Sequence, residues 1–172
     1  MQFPPLIIVV MTAAVVGCRK QITTPAAAPA IQPALAAWQR GDRAGAVGSF
    51  LTTDWSAGPI FAPNSVLSLT EAQFQAGARP ITLPGTVLTG GTEAVRVQMT
   101  KEIDTVKHLA AAVAQAGRDA AATNDVALAR KHFASLQRFA AALDTTNSLA
   151  ILRLVAQGIS KKAAIESATL PQ

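Results

Sequence analysis

The sequence predicts an all-α protein: an antiparallel helical bundle, or a set of helical hairpins, with an irregular central segment. Three observations carry this. From Glu93 onward apolar residues recur at steps of three and four, which gathers them on one face of a helix. Two pairs of helical runs are separated only by Gly41-Asp42 or Asn124-Asp125, short polar turns that fold consecutive helices back on each other. Abundant alanine lets such helices pack closely.

The chain opens on an apolar run from Leu6 to Gly17, followed by Cys18 and then Arg19-Lys20. Crossing hydrocarbon takes roughly 17–25 apolar residues. The stretch Phe3–Gly17 falls short of that and contains Pro4 and Pro5, so a stable span is not expected. A secretory signal core of about 7–15 apolar residues fits better. Val15-Val16-Gly17-Cys18 resembles the lipobox that ends a bacterial lipoprotein signal. Val15 stands where leucine is commoner, and Met1–Pro5 carries no Lys or Arg. The resemblance implies cleavage before Cys18, acylation of its thiol with diacylglycerol and of its amino group with a third chain, and a bacterial envelope location. An ordinary cleaved signal, an uncleaved anchor or a buried apolar segment are the alternatives. A single cysteine also rules out an internal disulfide.

Residues 18–33 read as a tether, because an Ala-, Pro- and Thr-rich stretch buries too little apolar surface to offset its ordering entropy. Residues 34–172 then form one helical domain. All 15 Lys and Arg and all 10 Asp and Glu lie beyond Gly17, so the part that starts at Cys18 keeps the formal charge of +5. The cations are interleaved with acids, which describes a soluble surface with a slight cationic excess and, next to a membrane, some attraction to anionic headgroups. No basic stripe with interleaved aromatics points to nucleic acid.

Ala34–Arg40 and Arg43–Leu51 are expected to form a hairpin turned by Gly41-Asp42, with Ala46 and Phe50 on one face of its second helix. The same spacing returns at Asn124-Asp125, Ala129 and Phe133, with Asn as the usual substitute where φ is positive. Both are similar to the turn and second helix of a tetratricopeptide repeat. The two copies lie 83 residues apart, so a tandem array with its period of about 34 is excluded. Two hairpins of one style, or coincidence in an alanine-rich chain, remain as readings.

Residues 52–92 are the least regular, punctuated by Asp54-Trp55-Ser56-Ala57-Gly58-Pro59, Ala62-Pro63-Asn64, Arg79-Pro80, Leu83-Pro84-Gly85 and Gly90-Gly91. Within them Ser68-Leu69-Thr70-Glu71 has capping-box spacing, which predicts a short helix ending near Gly77. Three helices follow. The first runs from about Thr92 to Ala122 on the stripe Met99, Ile103, Val106, Ala110 and Val113. The second carries Ala129, Phe133, Leu136, Ala140 and Leu143. The third carries Leu152, Val155, Ile159 and Ala163 and is expected to start near Thr146. Together, the segments Ala37–Asp42 through Asp54-Trp55, Ser68–Glu71 and Leu152–Ile159 resemble uncharacterised, helix-rich exported proteins of bacteria, a likeness that implies architecture and no activity.

Catalytic, cofactor and metal signatures are not read from the sequence. His108 and His132 fall on different helices without the ligand spacing of a zinc site, and Glu102 and Asp104 are two apart, hence on different helix faces. Gly85–Gly91 lacks the Lys-Ser/Thr of a phosphate loop. The expected function is a lipid-anchored helical interaction or structural module of the envelope, with Trp38, Trp55, Phe74 and Arg79 as candidate surface residues. The alternative is an envelope enzyme or small-ligand binder with a site in residues 54–91, built from Asp54, Ser65, Arg79 and the loop at Pro84. An enzyme is the weaker expectation, because no nucleophile and base stand in recognisable surroundings.

Overall fold

The computed structural model describes residues 28–76 and 92–171. Six α-helices occur among them: α1 (Gln32–Gln39), α2 (Arg43–Thr52), α3 (Glu71–Gln75), α4 (Thr92–Ala122), α5 (Val126–Leu143) and α6 (Ala150–Ala168). The fold is all-α, with one 3-10 turn at Val66–Ser68 and a single isolated bridge between Thr70 and Ser148.

The two expected turns have one geometry. Gly41 has φ +80° and Asn124 has φ +63°, the left-handed conformation that glycine adopts freely and asparagine tolerates. Asp42 N–H donates to Ala37 O and Gly41 N–H to Trp38 O; at the other turn Asp125 N–H donates to Ala120 O and Asn124 N–H to Ala121 O. Each is a Schellman ending that satisfies the last carbonyls of its helix. The same aspartate then starts the next helix: Asp42 accepts from Gly45 N–H and Asp125 from Leu128 N–H. One residue past the helix end thus caps two helices, and α1–α2 and α4–α5 fold back as tight hairpins. Ala46, Phe50, Ala129 and Phe133 are all buried, so the shared spacing places the same small and aromatic pair in the core of each hairpin.

Helix α1 begins ahead of the expected Ala34. Pro33 lies in its first turn, where its missing N–H costs nothing, and Ile31 before it is buried. Ala30 and Ile31 donate backbone hydrogen bonds to Pro59 and Ile60 carbonyls, so the end of the expected tether belongs to the folded domain.

Helix α5 is central, packed along both α4 and α6, while α2 leans on α4 and α5. Phe50, Trp55 and Phe139 form an aromatic cluster between α2 and α5, with ring centroids 4.6–5.0 Å apart. Ser135, fully buried, donates its hydroxyl to the Phe50 carbonyl across the same contact. Gly117 marks a tight contact of α4 with α5: a Cβ there would lie 2.9 Å from the Phe133 ring and 3.1 Å from His132 Cβ.

Two local expectations are corrected. The capping box before α3 is Thr70 with Gln73, not Ser68 with Glu71. Ser68 instead bonds back to Ser65 O in the 3-10 turn, and the Glu71 carboxylate accepts from Ala150 N–H, the first residue of α6. Helix α6 starts at Ala150, not near Thr146, because Thr145 and Ser148 close a turn through their hydroxyls and Glu71 supplies a cap that Leu149 lacks. These bonds hold the Glu71 carboxyl below its ordinary range; the Ala150 amide has the larger effect and Gln75 the smaller.

Candidate functional site

Helix α6 carries more apolar surface than its neighbours cover. Leu152, Ala156 and Ala163 are buried against the rest of the fold. A second stripe, Ile151, Leu154, Gly158 and Ile165, steps by three, four and seven along an adjoining face. On it Leu154 is 64 % exposed and Ile165 57 %. Helices α4 and α6 flank α5 and touch each other less than either touches α5. Between them runs a groove of about 400 Å³ lined by Ala110, Ala111 and Ala114 from α4, Leu136 from α5, and Leu154, Val155, Gly158, Ile159 and Ala163 from α6. Among the described residues the only charged groups lining it are Lys107 on the α4 wall and Lys162 on the α6 wall. Volume and lining suit a ligand or segment that is apolar in the middle and anionic at its edges.

A second depression, of about 630 Å³, is lined by residues 51–56, Arg138, Ala141 and Ala142. Asp54 stands on its rim and takes hydrogen bonds from the Ser56 hydroxyl and amide. Those bonds, with help from the Arg138 charge, hold the Asp54 carboxyl below its usual range.

Of the residues expected from sequence to form a surface, Trp38, Trp55 and Phe74 are described, and all three are buried or half-buried. Trp55 is only 5 % exposed and belongs to the aromatic cluster, so its role is core packing rather than partner contact. Trp38 is half-buried, with the Arg43 guanidinium stacked 3.4 Å over its ring. Phe74 is half-buried against both hydrophobic clusters. Ser65 is committed elsewhere, donating to Glu102 Oε2 at 2.6 Å and tying the 3-10 turn to α4. Cys18, Arg79 and Pro84 lie outside the described residues. Among the described residues no group of three or more His, Cys, Asp or Glu is placed to hold a metal ion, and no helix is long and apolar enough to cross a membrane. The groove residues Lys107, Leu154, Gly158 and Lys162 were not singled out from sequence; the signal was the second apolar stripe of α6, beside the one that is buried.

His132 is buried at the α4–α5 contact and its Nδ1 has no hydrogen-bond partner. Burial, with a smaller contribution from Lys131, pushes its pKa below the usual 6.5. The folded state therefore favours the neutral ring. The stability this provides is complete above the unfolded value near 6.5 and declines as pH falls from there toward the folded pKa. Urea midpoints compared at about pH 7.5 and 5.5 should fall further for the native chain than for His132→Gln. Equal falls would remove His132 from the acid response.

Comparison with protein-family models, with curated proteins and with solved structures gave no match.

Proposed function

We propose that this chain is a membrane-anchored helical interaction module, held by acylated Cys18 and presenting the α4/α6 groove to a protein partner. The observation that carries the reading is Leu154, a large apolar side chain left mostly in water on the wall of an apolar groove. Contiguous exposed apolar surface of this kind marks interaction sites more often than it marks ordinary surface. The tight capping of both hairpins supports it further, because a rigid scaffold lowers the ordering cost of docking.

The test is a photocrosslinking residue at Leu154 of the full chain, expressed in its own cells. A reproducible protein adduct from Leu154, with none from an exposed control at Gly48 on α2, is the expected result. No adduct from Leu154 would overturn the interaction reading. The anchor is tested separately: Cys18→Ser should move the protein from the membrane to the soluble fraction, and retention of a tightly bound form would overturn acylation.

A second reading, a small-ligand site around residues 54–56, is favoured by one observation. The indole N–H of Trp55 is buried without an acceptor beside the depression that Asp54, Ser56 and Arg138 line. A ligand with an acceptor oxygen would satisfy it.

A further inference from the structure

The groove has a chemistry that selects its occupant. Small residues line both of its walls: Ala110, Ala111 and Ala114 on α4, and Gly158 on α6. Among the described residues nothing packs closely against Gly158. Its backbone is ordinary helix, and a Cβ built on it meets nothing within 4 Å, so neither a positive φ nor a close internal neighbour requires glycine there. A glycine in a helix interior weakens the helix. What it provides is room for another backbone to approach to the 8–10 Å typical of packed helix axes. Leu154, one turn before it, is 64 % exposed and is a knob with no hole among the described residues.

The charges say which helix. Lys107 and Lys162 stand on opposite walls. Among the described residues no carboxylate lies within 4 Å of the Lys162 ammonium, and Lys107 meets only Asp104, at 3.5 Å with both groups more than half exposed. Glu166, the one acid on α6, is engaged by Arg118 at 2.9 Å. A second copy of this chain would present α6 with Arg153, Lys161 and Lys162, cations against cations.

We propose that the α4/α6 groove receives an acidic amphipathic helix, its apolar stripe seated over Ala114 and Gly158 and carboxylates on its two flanks reaching Lys107 and Lys162. The occupant docks by the helix-in-groove mode, with apolar burial supplying affinity and the two lysines setting partner choice. This rests on the interaction reading and narrows it to one class of partner.

The probe is a labelled amphipathic peptide of about 20 residues, long enough to form a helix, with a leucine and alanine stripe flanked by glutamates; its counterpart carries lysines instead. The full chain, in detergent, should bind the glutamate peptide at least about tenfold more tightly than the lysine peptide, and more weakly as salt rises. Lys107→Gln combined with Lys162→Gln should weaken binding about tenfold. Gly158→Leu should abolish it while the melting transition is kept, because the added side chain points into open space. Equal binding of both peptides, no binding by a natively folded chain, or indifference to Gly158→Leu would overturn the proposal. So would a stable homodimer that Gly158→Leu dissociates. A Leu154 adduct with a basic or uncharged partner helix would overturn this inference and leave the interaction reading standing, whereas absence of any Leu154 adduct would overturn both.

Discussion

Replacing Phe139 by alanine should destabilise the chain by about 3–5 kcal/mol, the cost of truncating a fully buried aromatic whose site cannot collapse. Phe139 is completely buried, with ring centroids 5.0 Å from Phe50 and 4.6 Å from Trp55. Its removal leaves two rings on either side of a void and loses two aromatic contacts, each worth about 0.5–1.5 kcal/mol beyond area burial. The cluster is also the main apolar link between the α1–α2 hairpin and α5, so the loss falls on tertiary structure and not on one helix. With a urea slope of about 2 kcal/mol per molar, the midpoint should drop by about 2 M. Phe139→Leu, which fills most of the space, should cost less than half as much. A change within about 0.5 kcal/mol for Phe139→Ala would mean that the cluster does not join these elements.

The next largest effect is expected from Gly117→Leu, at about 2–3 kcal/mol of lost stability. Leucine is the better helix former by roughly 0.8 kcal/mol, so propensity alone predicts a gain. Sterics win because Gly117 sits where α4 meets α5. Even a bare Cβ would come within 2.9 Å of the Phe133 ring and 3.1 Å of His132 Cβ, and Phe133 is itself fully packed and cannot swing aside. Gly158→Ala provides the contrast. The Cβ that this substitution adds in α6 meets nothing within 4 Å, and stability should rise by about 0.5–1 kcal/mol. Opposite signs in urea unfolding would establish that one glycine serves the fold and the other does not. Two gains would contradict the α4–α5 crossing described above.

What was legible in the sequence followed from local rules. The Gly41-Asp42 and Asn124-Asp125 turns were readable because positive φ favours glycine or asparagine and a following aspartate caps the next helix, both within a few residues. The long helix Thr92–Ala122 was readable from its apolar period. Local rules failed where a distant residue intervened. Ser68 with Glu71 and Thr70 with Gln73 both fit a capping box, and the choice was decided by Ala150, whose amide draws Glu71 away. The start of α6 was misplaced for the same reason, since its cap comes from another helix and no residue before it announces the boundary. Trp55 is ambiguous in sequence because a turn tryptophan can face either core or partner; Phe50 and Phe139 claim it. The groove was the least legible feature. Leu154 and Gly158 lie one step around the helix from the buried stripe, and whether a neighbour covers them depends on how far α6 stands from α4.

The proposal that Cys18 is acylated and that a partner covers the α6 face is tested in both parts at once by thiol labelling with a membrane-impermeant maleimide in opened envelopes. With Cys18 acylated as proposed, the native chain should take no label, because Cys18 is the one cysteine of the sequence. Leu154→Cys should label slowly in envelopes and rapidly once purified, while Gly48→Cys should label rapidly in both. Labelling of the native chain, or equally rapid labelling of Leu154→Cys and Gly48→Cys in envelopes, would contradict it.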